Sequence, residues 1–169
     1  VFTAEGNTAA LCEGEQGSFS IDAMTDVDSY NWYIGGVLQT SKEDLFATIL
    51  ATVGSAINVE VAAVNKCGEG PKESTLVEVK EIPSMTIQNL NDQCGGTYDL
   101  ANSIFNLSDD ATLSYYSDIE ALVSIDQVVG ELSESITNYF VQAEKAGCKS
   151  LVVPVAVEIK NVPSEPAGK

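Results

Sequence analysis

The chain has 169 residues, 44% of them hydrophobic, enough for one or two small cores. It carries 25 acidic residues against 8 basic ones, all of them lysine, for a net charge of −17. Such a surface repels phosphate backbones and argues against a nucleic-acid partner. The absence of histidine removes every Ser-His or Cys-His pair and any histidine base.

Val1 is not an initiator methionine and no basic, apolar leader precedes it, so the chain is expected to be a processed product or an excerpt of something longer. Cys12-Glu-Gly14 and the turn-rich Gly14-Glu-Gln-Gly17 lead into a predicted strand over Ser18 to Ala23. Thr25-Asp-Val-Asp28 reads as a loop. Tyr30 to Ile34 then alternates as Tyr-x-Trp-x-Ile and ends in Ile34-Gly-Gly36, a strand closed by a turn. Trp32, the only tryptophan, fits the buried aromatic of a central strand better than a surface binding residue. Lys42 to Val53 and Ser117 to Leu132 contain good helix formers, but β-branched residues and glycines lie nearby, and both are read as strand and loop. Ile57, Val59, Val61 and Ala63 alternate with polar or small residues, the period of a strand with one buried face. After Gly68-Glu-Gly70-Pro71 comes a strand over Thr75 to Val79. In the second half Tyr115 or Tyr116 takes the place of Trp32, and Thr137, Tyr139, Val141 and Ala143 repeat the alternation. Leu151, Val153, Val155, Val157 and Ile159 form one face of a last strand. Pro154 lacks an amide donor and places that strand at an edge or in irregular pairing. No apolar run approaches the ~18 residues of a membrane-spanning helix.

The two halves are copies. Val77-Glu-Val-Lys-Glu-Ile-Pro83 returns 80 residues later as Val157-Glu-Ile-Lys-Asn-Val-Pro163. Each half opens with a Cys-x-Gly triplet, at Cys12 and Cys94, and carries a second cysteine beside glycine, Cys67-Gly68 and Gly147-Cys148, 55 and 54 positions later. Even the charge divides evenly, −9 up to Pro83 and −8 beyond it. Short strands without βα alternation predict an all-β chain of two tandem antiparallel β-sandwiches, 1–83 and 84–163, with 164–169 as a linker or tail. Pro83 and two further residues leave a linker short enough to limit bending.

Four cysteines allow three pairings, and a duplicated module favours Cys12 with Cys67 and Cys94 with Cys148. Each bond would close a loop of about 55 residues, stabilising by roughly 4 kcal/mol in the chain-entropy model. Disulfides imply an oxidising compartment.

Cys12-Glu-Gly14, Ser29-Tyr-Asn-Trp32-Tyr-Ile-Gly35, Val61-Ala-Ala-Val-Asn65-Lys-Cys67-Gly68, Val77-Glu-Val79 and Pro83 resemble the PKD-like and immunoglobulin-like repeats of large bacterial surface proteins. Such repeats are common in adhesins and type IX secretion cargo of the Bacteroidota. Cys94, Tyr98-Asp-Leu100, Leu113-Ser-Tyr-Tyr116-Ser-Asp118, Tyr139-Phe-Val-Gln-Ala143, Gly147-Cys148 and Val157-Glu-Ile159 carry the resemblance through the second half. Trp32-Tyr-Ile-Gly-Gly36 departs from the Trp-Asp-Phe-Gly-Asp-Gly signature of typical PKD domains. What the resemblance implies is a stalk or adhesive repeat at the bacterial cell surface. Its partners would be neighbouring repeats of the same long chain and a surface polysaccharide or protein.

No catalytic residue is expected. Ser41-Lys42 and Lys149-Ser150 are adjacent, and neighbours on a strand point to opposite faces. Clustered carboxylates, Asp26 with Asp28 and Asp109 with Asp110, make weak calcium candidates because calcium takes several oxygen ligands. Asp26-x-Asp28-x-Tyr30 breaks the calcium-loop spacing, and exposed loop acids are the favoured reading, so no cofactor is assigned. The rival function is an accessory carbohydrate-binding module of a secreted hydrolase, with Tyr33, Phe46, Tyr98 and one of Tyr115 and Tyr116 as stacking aromatics.

Overall fold

The structure, a computed structural model, describes residues 2–3, 10–42, 46–51, 56–94, 96–132 and 135–160. They divide between two compact units, Val1–Glu81 and Ile82–Lys169. Asn161 to Pro163 and the predicted tail at 164–169 lie outside the described residues, as do 43–45 and 52–55 of the segment Lys42 to Val53.

Unit one contains strands β1 (Phe2–Thr3), β2 (Ala10–Cys12), β3 (Gln16–Ile21), β4 (Ser29–Ile34), β5 (Val37–Lys42), β6 (Phe46–Leu50), β7 (Ile57–Asn65) and β8 (Gly68–Lys80). They form two sheets, β1-β3-β6 and β2-β8-β7-β4-β5. Period-two patterning decides which residues meet between them. Tyr30 and Trp32 of β4 point inward with Val59 and Val61 of β7 and Val77 of β8, against Leu11, Phe19 and Ile49. Trp32 stands in register with Val61, and Val79 packs at the rim of the same cluster. Gly17 lets β3 approach β2, since a Cβ there would come within 2.8 Å of Leu11 Cδ1. Gly35 and Gly36 close the β4–β5 hairpin at φ 58° and 80°, the paired positive values that a two-residue turn of this hand needs.

Unit two contains β9 (Thr86–Ile87), β10 (Leu90–Cys94), β11 (Gly96–Asp99), β12 (Ile104–Phe105), β13 (Thr112–Tyr116), β14 (Ser124–Ile125), β15 (Val128–Leu132), β16 (Ser135–Lys145), β17 (Cys148–Lys149) and β18 (Val153–Lys160). The main sheet runs β10-β18-β16-β13-β14, with β17 on β16, and β11-β15 and β12-β9 pair separately. Tyr115 lies in register with Val141 as Trp32 does with Val61, and both are buried with Leu100, Val155, Val157 and Ile159. A 3₁₀ turn, Leu100–Ser103, follows β11. Asp99 caps it by accepting from the Ala101 amide at 2.9 Å, and the buried Ser103 hydroxyl donates to the Leu100 carbonyl at 2.6 Å.

Among the described residues there is no α-helix; Ser117 to Leu132 forms turns and strands β14 and β15. Two local expectations change. Leu151 precedes β18 and is 86% exposed, so the buried face begins only at Val153. Pro154 pairs with Phe140 on one side, while β10 covers the other side only from Val157 onward. The strand is thus interior over its last residues and open where the missing amide would otherwise need a partner.

Candidate functional site

The two units share one device. In each, the first strand of the main sheet runs parallel to the last. Ala10, Leu11 and Cys12 pair with Glu78, Val79 and Lys80, and Leu90, Gln93 and Cys94 pair with Val157, Ile159 and Lys160. The remaining neighbours in both main sheets are antiparallel. In unit one the Glu13 amide extends this ladder to the Lys80 carbonyl at 2.9 Å.

This pairing fixes where the cysteines stand. Cys12 is level with Lys80 at the end of β8, whereas Cys67 sits in the turn before its first residue. Thirteen residues of strand separate them, about 40 Å at ~3.3 Å per residue. Cys94 is level with Lys160, and Cys148 faces Lys145 across the turn at the far end of β16. The 11 residues of β16 span about 35 Å. A disulfide needs Cα atoms within about 7 Å. The expected bonds Cys12–Cys67 and Cys94–Cys148 are therefore corrected: the cysteines of one unit lie at opposite ends of it. Cys12 and Cys148 are disulfide-bonded, and Cys67 and Cys94 are free and exposed.

A polar network crosses the outer face of the main sheet of unit one. The residues alternating with Tyr30 and Trp32 point outward: Asn31 Nδ2 donates to Glu69 Oε2 at 2.6 Å, and Tyr33 Oη donates to the same carboxylate at 2.8 and 3.0 Å. Lys72 Nζ stands 3.4 Å from the centre of the Tyr33 ring and 3.7 Å from Glu60 Oε2. The Asn31 and Tyr33 hydrogen bonds hold the Glu69 carboxyl below its usual range, and the Glu69 bond raises the Tyr33 phenol. This cluster was not anticipated. Its alternation along β4 was visible, but Glu69 and Lys72 join from a strand more than 30 residues away.

The proposed stacking aromatics do not form a strip. Tyr115 is in the core, Tyr98 packs against it, and the Tyr33 ring already carries Lys72. The Phe46 side chain lies outside the described residues. Asp26, Asp28, Asp109 and Asp110 are exposed in loops ahead of β4 and β13. Asp26 and Asp110 occupy positive φ, 60° and 61°, a turn conformation that aspartate tolerates. No three His, Cys, Asp or Glu side chains converge among the described residues. A cleft of about 390 Å³ opens at the turn end of unit one, lined by Ile21, Met24, Tyr30, Val61 and Pro71 with Asp22 and Glu73 at its rim. None of these is a nucleophile or a base placed on one.

The PKD-like domain family matches residues 2–77, less than half of the chain. The matched residues fall within the two-sheet unit Val1–Glu81. Among solved structures, the chain is similar to the fibronectin(III)-like modules of Clostridium thermocellum CbhA, at 21% identity with 100% of both chains covered and a TM-score of 0.46. It is also similar to Sidekick-1 immunoglobulin domains 1–5, at 12% identity over 95% of this chain and 38% of that one, TM-score 0.41. A third likeness is to the N-terminal Ig1-2 module of the Drosophila Receptor Protein Tyrosine Phosphatase DLAR, at 12% identity over 95% and 98%, TM-score 0.37. No curated protein matches the chain. Likenesses this distant say nothing of function.

Proposed function

We propose that the chain is a pair of tandem, non-catalytic repeat domains, 1–83 and 84–163, of a longer extracellular protein, a bacterial surface adhesin or a secreted protein. Their work is mechanical: they space or present an adhesive contact and carry tension between their ends. One observation supports this reading above the others. In both units the second strand, β2 or β10, runs parallel to the last strand, β8 or β18. Tension between the two ends therefore slides these strands along each other, so the ladder hydrogen bonds resist together rather than opening one at a time.

Single-molecule force spectroscopy tests the idea. With a reductant present, so that only the sheets resist, the chain should unfold in two abrupt events, each releasing about 280 Å for a unit of roughly 80 residues at ~3.5 Å each. Smooth extension without force peaks would overturn the mechanical reading. The rival, an accessory carbohydrate-binding module, has less support because the Tyr33 ring face is occupied and Tyr115 is buried. A glycan array should show no binding, whereas reproducible binding lost in Tyr33→Ala would favour the rival.

A further inference from the structure

We propose that the cleft at the turn end of unit one is a binding site for a lysine side chain of a partner polypeptide. The site uses side chains of one unit only and is independent of the mechanical reading above. Its volume of about 390 Å³ is ample for one long side chain. It opens where β3 ends at Ile21, and Tyr30, Val61 and Ala63 of the main sheet form its floor.

The lining is apolar within and negative at the mouth. Ile21, Met24, Val61 and Pro71 offer a surface for a hydrocarbon stem. Glu73 is in register with Val61, as Val61 is with Trp32. Cross-strand partners share a face, so this carboxylate stands on the core-facing side of the sheet. Lys72, the residue before it, points the other way and is engaged with Tyr33 and Glu60. Neither Glu73 nor Asp22 has an ion pair or a hydrogen bond among the described residues. Two unpaired carboxylates at one cleft mouth favour a cation there.

A spare donor narrows the choice. Tyr30 is 5% exposed, and its phenol oxygen accepts from the Met24 amide at 3.0 Å. Its hydroxyl hydrogen has no acceptor among the described residues. A polar group this buried ordinarily has its partners, and the cleft is the open space that Tyr30 lines. A hydrocarbon stem, a terminal cation and a neighbouring acceptor together describe lysine within a peptide. Its methylenes lie on the apolar walls, its ammonium meets Asp22 and Glu73, and a peptide carbonyl accepts from Tyr30. A free alkylamine supplies the first two and lacks the third. Phosphate and other anions are repelled by the same carboxylates. The net charge of −17 also steers a basic partner toward the chain.

The test is backbone-amide NMR of the whole chain, titrated with Nα-acetyl-lysine N-methylamide. Shifts should gather at Asp22, Met24 and Gly70 and saturate with a Kd on the order of millimolar. The norleucine counterpart, with the stem but no charge, should bind roughly tenfold more weakly or worse. The same loss is expected for the double variant Asp22→Asn/Glu73→Gln. Both residues are exposed, so a matching thermal melt should establish that it is folded, and Glu73→Gln alone gives the same comparison should the double variant melt early. Butylammonium, which has stem and cation but no carbonyl, should also bind more weakly than the lysine probe. Equal binding of norleucine, unchanged affinity in the variants, shifts spread over exposed acids throughout the chain, or no saturable shift would each overturn the proposal. Butylammonium binding as tightly as the lysine probe would assign the cleft to a free amine and overturn the polypeptide partner. The force experiment reads unfolding and this one reads binding, so either idea can fail without the other.

Discussion

Val61 is 5% exposed, stands opposite Trp32 and touches the centre of the first core. Val61→Ala should cost about 1–3 kcal/mol in urea unfolding; a change of a few tenths would mean that β7 shows its other face inward. Asp118 gives a test in pH. Its carboxylate accepts from the Leu122 amide at 3.0 Å and the Val123 amide at 2.8 Å, and these bonds, Leu122 first, hold it below the ordinary carboxylate range. A depressed folded value means the stabilisation is complete above the unfolded carboxylate range and disappears as pH falls through the folded one. The stability gap between the chain and Asp118→Asn should therefore narrow in acid. A gap that stays constant would contradict the assignment. Period-two patterning made Trp32, Val59, Val61 and Val77 legible as one core, because each alternates with a polar or small neighbour. The Asn31–Tyr33–Glu69 network was not legible, since its geometry depends on the pairing of distant strands.

The hairpin between β4 and β5 shows how an element depends on its turn. Gly36→Ala places a side chain at φ 80° in open space, so strain alone acts. About 1–2 kcal/mol of destabilisation is expected from the left-handed conformation, measured by thermal unfolding; no change would mean that the turn adopts another type. The sequence hides the extent of β8. Thr75 to Val79 reads as a strand, but Gly68-Glu-Gly70-Pro71 carries turn signals, so the strand is not expected to start directly after Cys67. It does, and runs for 13 residues. That one element carries the two cysteine stations of unit one to opposite ends. The repeat sets nearly equal spacings of 55 and 54 between the cysteines of a half, but spacing along the chain does not set proximity in the fold.

At the scale of the whole chain, the duplication is the feature most legible in the sequence. The Val77 and Val157 segments fall in equivalent last strands, and Trp32 and Tyr115 in equivalent central ones. What repeats is a sandwich with a parallel clasp and a cysteine at each end, in a chain of net charge −17. The mechanical reading and the placement of the cysteines at opposite ends of each unit rest on the same parallel strand pairing. Peptide mapping of the unreduced chain, after alkylation of free thiols, tests it most directly. The expected result is Cys12 and Cys148 recovered as cystine, with Cys67 and Cys94 alkylated. Recovery of Cys12–Cys67 or Cys94–Cys148 would place both cysteines of a unit at one end and contradict the account.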